Sequence, residues 1–252
     1  DLGSRLALAR GRFTRRVGGF AAAGLALILT LGRFIFYNTN VLNPYRTASD
    51  SLAWRADFER RYGQYKGIRQ PEHTGANLRV EIYPDRREAE IRGTFHLVNT
   101  SPDAIGSVHL ATKSAVKTMA IRFDRSAKSV LSDEKFGHRI YALETPLRSG
   151  ESLQLDFEVH FKPRGFPNRG MGTSVVANGT YFTNDAWLPA IGYQADRELR
   201  SAGDRRKYRL AARPETPVLD DVEARRGAGG GARTAFEAVV GTDEGQVAVA
   251  PG

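Results

Sequence analysis

Between Val17 and Gly32 the chain runs sixteen residues without a charge. No other feature restricts its fold and surroundings as strongly. Sixteen residues fall short of the ~20 that cross a hydrocarbon layer. Arg33 then interrupts the run, but Phe34, Ile35 and Phe36 follow, with Tyr37 at the rim. An arginine near a helix end can reach back to the headgroups. Counted that way, Val17 to Phe36 reads as a complete transmembrane helix that ends in an aromatic belt. A signal peptide would place small residues at a cleavage site after the apolar run, and "RFIFYNTN" is a poor site. A core helix of a soluble domain would show a polar face, and Thr30 alone is polar here. Arg5, Arg10, Arg12, Arg15 and Arg16 precede the run, whereas "NTNVLNPY" after it is uncharged. The excess of basic residues on the cytoplasmic side of membrane helices places residues 1–16 inside and everything after Tyr37 outside.

A helix is expected next. In "TASDSLAWRADFERRYGQYK", residues 47–66, Thr47 and Asp50 fit a capping box. Trp54, Phe58, Tyr62 and Tyr65 recur at spacings of four, four and three, which puts them on one face. That face predicts a short amphipathic helix packed on the following domain, or alternatively an aromatic docking surface.

From residue 77 the period changes to two. Leu78, Val80 and Ile82 alternate with polar residues, as do Ala89, Ile91, Gly93, Phe95 and Leu97, and then Met119, Ile121 and Phe123. The clearest case is "SLQLDFEVHFK", where Leu153, Leu155, Phe157, Val159 and Phe161 face one way. Strands with one wet face belong to antiparallel sheets. Turn signals at "PDRR", "NTSPD" and "PLRSGES" separate them. The expected class is therefore mainly β: an antiparallel β-sandwich preceded by one transmembrane helix and a short amphipathic helix. The expected organisation is a basic flank over 1–16, a span over 17–36, a helical connector over 37–69 and the sandwich over 70–252. "RKYRLAARP", "AFEAVV" and "QVAVA" are read as further strands, and "RRGAGGGARTA" as a flexible surface loop.

Little in the sequence points to catalysis. There is no cysteine, which removes disulfides, thiolate metal sites and cysteine nucleophiles. Of the histidines His73, His96, His109, His138 and His160, none precedes a glutamate and no two are four apart, so the zinc helix H-E-x-x-H is absent. G-x-S-x-G and Walker A loops are absent too, and "RGMGTS" lacks a strand–loop–helix context. No catalytic and no metal-binding residue is assigned. The net charge of +9 comes from basic residues of which 30 in 37 are arginine, spread among 28 acids. Without a basic tract interleaved with aromatics, nucleic acid is not an expected partner. The unusual stretch is "VVANGTYFTNDAWLPAIGY", with Tyr181, Phe182, Trp187 and Tyr193 set among the turn formers Asn178, Gly179, Asn184 and Pro189. It could line a ligand pocket or cap the sandwich.

Taken together, "YNTNVLNPY", "EIYPDRREAEIRGTFHLVN", "PLRSGESLQLDFEV" and "NGTYF…WLPAIGY…REL" resemble one group of bacterial membrane proteins. In that group an ABC-transporter-type permease is followed by a zinc aminopeptidase module of the aminopeptidase N family. The resemblance implies that 70–252 is the non-catalytic N-terminal sandwich, packed on a catalytic domain and helping to wall its substrate pocket. It implies that 17–36 is the last permease helix, with lipid around it, permease helices upstream and a peptidase domain downstream. Both chain ends would then be cut, with no cofactor in this segment and zinc in the catalytic domain beyond Gly252. The implied location is the bacterial inner (cytoplasmic) membrane, with the β-domain on the extracytoplasmic side. Asn178, Gly179, Thr180 and Tyr181 fall near a pocket-lining Gln or Glu of the family, and this sequence has neither there. The alternative is an extracytoplasmic permease domain that binds a partner or gates transport without peptidase activity.

Overall fold

The computed structural model describes residues 2–11, 13–43, 45–168, 170, 172–214, 220 and 234–249. The chain divides into two units. One comprises 1–45 with 164–172, and the other 46–163 with 173–252.

The first unit begins with helix α1 (Leu2–Gly11) and helix α2 (Arg15–Phe36). Thr14 caps α2, its Oγ1 accepting from Val17 N at 3.3 Å. No α2 residue is buried, although its side chains are overwhelmingly apolar. Arg15–Leu42 forms a continuous helical segment long and apolar enough to cross a membrane. Thr30 returns its hydroxyl proton to Ala26 O at 2.8 Å, so the polar group inside the run is satisfied by the helix itself. A π-helical turn (Tyr37–Leu42) continues α2. The wider winding of a π-turn takes carbonyls out of the ordinary ladder. Consecutive side chains meet them: Asn38 Nδ2 donates to Phe34 O at 2.8 Å, Thr39 Oγ1 to Ile35 O at 2.9 Å and Asn40 Nδ2 to Phe36 O at 3.2 Å. This accounts locally for the polar "NTN" at the end of an apolar helix.

The second unit holds the sandwich. Helix α3 (Ala48–Tyr62) starts at the expected capping box: Thr47 Oγ1 accepts from Asp50 N at 3.1 Å and Asp50 Oδ2 accepts from Thr47 N at 2.9 Å. A 3-10 turn (Gly63–Tyr65) follows. Next come strands β1 (Glu72–Tyr83), β2 (Glu88–Val98), β3 (Ile105–Ala111), β4 (Lys117–Phe123), β5 (Ala127–Asp133), β6 (His138–Leu147) and β7 (Ser152–Phe161). The two-residue strands β8 (Val175–Val176) and β9 (Gly179–Thr180) form a hairpin. After them stand α4 (Asn184–Trp187), β10 (Ala190–Ile191), a 3-10 turn (Ala195–Arg197), α5 (Ala202–Lys207) and β11 (Ala235–Gly241).

One sheet runs in the order β11-β1-β2-β7-β4 and the other β10-β3-β6-β5. Their facing sides share one apolar core that includes Leu78, Ile91, Phe95, Val108, Leu110 and Leu147. The period-two reading holds on β7, where Leu153 and Leu155 are fully buried and Phe157, Val159 and Phe161 nearly so. Gly93 lies opposite Leu78 on one side and Phe157 on the other. A Cβ there would come within 2.7 Å of Leu78 Cδ2 and collide with the Phe157 ring, so this strand glycine makes room for an aromatic neighbour.

Three sequence expectations need correction. Met119 is 47% exposed, because β4 carries a bulge between Thr118 and Ala120 that removes Met119 from the inward alternation. "RKYRLAARP" is not a strand: the capped helix α5 claims its start, and Arg205 beside it is buried and paired with Glu59. Gln246–Val249 of "QVAVA" is also not a strand, with Val247 and Val249 almost wholly exposed. "AFEAVV" is a strand, but it pairs with β1 in parallel, which makes the sheet mixed at that edge. Residues 225–233 of the glycine-rich loop lie outside the described residues.

Candidate functional site

Asn178 lies with Ala177 in the exposed turn of the β8–β9 hairpin, Gly179 opens β9 and is exposed, Thr180 is half-buried and Tyr181 is 77% exposed. The hairpin is anchored where its aromatics run into the core. Phe182 stacks on buried Trp187 at 4.1 Å, and Trp187 stacks on Phe161 at 4.5 Å. Tyr181 N also donates to Ser174 O at 2.9 Å. Thus the aromatic stretch divides its work: Phe182 and Trp187 are structural, whereas Asn178, Gly179 and Tyr181 are presented to solvent. Asn178, Gly179, Thr180 and Tyr181 form an edge and not a closed cavity, and among the described residues no side-chain hydrogen bond holds an acid, base or nucleophile beside them.

The described residues do gather titratable groups elsewhere, around α3. Trp54, Phe58, Tyr62 and Tyr65 lie against Phe136 of the β5–β6 turn, with Phe58 also stacked on Tyr193 at 5.4 Å. Trp54 Nε1 donates to Lys135 O at 3.0 Å, and Tyr62 OH donates to Asp133 Oδ2 at 2.5 Å. Burial and that carboxylate both push the Tyr62 phenol up, so it stays a donor. Asp133 also accepts from Arg61 at 2.9 Å and from Phe136 N at 3.2 Å; these donors hold its carboxyl below the usual range despite burial.

Beneath this aromatic layer His109 and His138 come together, with ring centroids 5.5 Å apart. They lie on the adjacent strands β3 and β6, where Ala111 is opposite His138 and His109 is opposite Ile140. Diagonal neighbours two residues apart on one face meet in this way. His138 is wholly buried, 4.4 Å from the Tyr62 ring, and neither ring nitrogen has a hydrogen-bond partner. Burial, with positive charge nearby at Arg197, pushes its pKa down to about 4. His109 is lowered by burial as well. Burial thus favours the neutral form of both rings in the core, and His138 makes no hydrogen bond to Asp133. The sequence signal was weak, because the two histidines are far apart in the chain and neither β3 nor β6 alternates cleanly.

A second polar cluster ties α3 to α5. Arg205 Nη1 donates to Glu59 Oε2 at 2.9 Å and to Leu199 O at 2.7 Å, while its second nitrogen pairs with Glu59 Oε1. Glu198, also buried, accepts from Lys66 Nζ at 2.9 Å and from Tyr193 OH at 3.0 Å, and these donors keep it ionised. This is a satisfied structural network, with each buried charge paired.

An open depression of about 430 Å³ lies on the outer face of the larger sheet, beside Arg79, Arg92, Thr94, Arg122, Asp156 and Glu158. Several of its charges are already paired: Arg92 with Glu158 at 3.6 Å, and Thr94 with Asp156 at 2.6 Å. It is the solvated side of the strands. Among the described residues no three His, Asp or Glu side chains converge as a metal-binding group, so the zinc implied by the resemblance finds no ligand set in them.

No family model matches the chain, and no curated protein does. Among solved structures it is similar to an M1 zinc metallopeptidase from Deinococcus radiodurans, at 16% identity and a TM-score of 0.31. A variant bound to a Tyr-Ser-Ala substrate and a two-domain variant bound to L-tryptophan give the same identity and score. In each case the likeness covers 39% of this chain and 22% of the other. The match therefore spans about a fifth of the length of those structures.

Proposed function

We propose that this chain is the membrane-anchored N-terminal region of an aminopeptidase-like membrane protein. In this reading α2 spans the bacterial inner membrane. The sandwich lies on the extracytoplasmic side and packs on a zinc peptidase domain outside these residues, helping to shape its substrate pocket. The observation that carries the reading is the arrangement along the chain: an apolar helix of spanning length with no buried residue, then one short capped helix, then a largely antiparallel sandwich. An apolar helix whose residues are all left unburied needs lipid or other helices to cover it. The motifs named above supply the family, and the sandwich agrees with what they imply. The chain's own contribution would be shape and support. Asn178, Gly179, Thr180 and Tyr181, on an exposed hairpin with a rigid aromatic root, are the residues offered to the neighbouring domain.

The test is kinetic and uses the intact protein encoded by the whole gene. Tyr181→Ala is expected to raise KM for an amino-acid anilide while leaving kcat nearly unchanged, because a pocket wall contributes binding in ground and transition states alike. Unchanged kinetics would remove the pocket role. An intact protein with no chelator-sensitive peptidase activity, and with a degenerate zinc motif, would favour a permease domain that binds a partner or gates transport.

A further inference from the structure

A stretch far along the chain belongs with the end of the apolar helix. Residues 164–172 form one unit with residues 1–45. Two contacts hold them. Asn43 Nδ2 donates to Arg164 O at 2.7 Å, across 121 positions of sequence, and Phe166 packs on Phe34 with ring centroids 5.8 Å apart. Gly165 lies between, with φ 55°, where a side chain would be strained and its Cβ would collide with Asn38 Oδ1. Asn43, the residue just after the π-turn, therefore acts on both sides, closing the helix end at Asn38 O at 3.0 Å and gripping this loop at Arg164 O.

Depth follows from geometry. Phe34 stands two residues before the end of α2, about 3 Å along the axis at the rise of an α-helix. Helical side chains lean towards the N-terminus, so the Phe34 ring lies deeper still. A ring packed on it sits within a few ångströms of the level where the apolar helix ends. Phe166 is only half-buried there, and Arg164, Pro167 and Asn168 around it are exposed. Pro163 and Pro167 have no amide N–H, which spares two donors that a poorly hydrated layer would leave unmet. An aromatic ring beside an arginine suits the boundary between acyl chains and phosphates.

We propose that Arg164–Asn168 is a second membrane contact: Phe166 enters the interfacial layer of a phospholipid bilayer beside Phe34, and Arg164 meets lipid phosphate. The chain would then touch the membrane at the span and again between β7 and β8. This rests on the reading of α2 as a span.

The absence of cysteine allows single spin labels in the full chain, reconstituted in nanodiscs of phosphatidylcholine with phosphatidylglycerol. Labels go at Leu29→Cys, Phe166→Cys, Asn168→Cys and Val130→Cys. Access to oxygen is compared with access to a water-soluble nickel chelate. The expected result is a deep label at 29, an aqueous one at 130, and labels at 166 and 168 shielded from nickel to an intermediate degree. Adding Arg164→Glu to the 168 label should shift it towards water in anionic discs and less so in zwitterionic ones. Labels at both 166 and 168 as nickel-accessible as 130, with 29 still deep, would overturn the second contact and leave the span intact. A nickel-accessible label at 29 would overturn the span itself, and this contact with it.

Discussion

Phe157, Gly93 and Leu78 are neighbours across three strands, and their sizes are interdependent. Phe157→Asp would put a carboxylate where the Phe157 ring now lies 4.6 Å from Phe95, at a position 3% exposed. The expected loss is at least roughly 4 kcal/mol, read by urea unfolding of residues 46–252. Gly93→Ala overfills the same place and should cost about 1–3 kcal/mol. An unchanged unfolding midpoint for either would mean that β2 and β7 pair in another register. His138 supplies a pH test. Its folded-state pKa of about 4 lies below the 6.5 of an exposed histidine, so the unfolded chain binds the proton more readily. Between those values stability must fall as the pH falls, with the loss complete below pH 4 and absent above about pH 7. A gap of that size corresponds to roughly 3 kcal/mol. His138→Phe should flatten this part of the stability curve relative to wild type. An equal slope in the variant would mean that His138 does not set this part of the curve.

Helix α3 is the element whose start, face and partner are best defined. Its capping box satisfies two amide donors, so Thr47→Ala should lower stability by about 1 kcal/mol without altering the fold, measurable by thermal unfolding with a circular-dichroism check. A neutral result would show that the first turn is frayed in solution. Much of α3 was legible because cap, aromatic spacing and period agree locally. β1, β2 and β7 were legible for a similar reason, since β2 and β7 keep one wet face over ten or more residues and β1 does so from Ala76, past its shift between His73 and Gly75. β3, β5 and β6 were not, because each is interrupted by a bulge or register shift: between Ile105 and Ser107 on β3, and between Ser129 and Leu131 on β5 against β6. A bulge breaks the alternation on which the reading depends. α5 was hidden for another reason. Its six residues are largely charged, and the burial of Arg205 depends on Glu59, 146 positions away, which no local pattern reports. The His109–His138 pair was lost along with β3 and β6. The hairpin at Asn178–Tyr181 was legible as a turn with aromatics, but which ring roots in the core and which faces solvent depends on Phe161, contributed by β7.

At the scale of the whole molecule, the claim is that one apolar helix fixes a β-sandwich to the far side of a membrane. The helix has spanning length and no buried residue, its polar end is closed by its own asparagines and threonine, and five arginines precede most of it. The most direct measurement is a pair of reporter fusions at Gln70, just past α3, in cells carrying the otherwise complete upstream sequence. A phosphatase that folds only outside the cytoplasm is predicted to be active there, and a reporter that works only in the cytoplasm to be silent. An inactive phosphatase with an active cytoplasmic reporter would contradict the membrane topology on which the proposed function and the second lipid contact both depend.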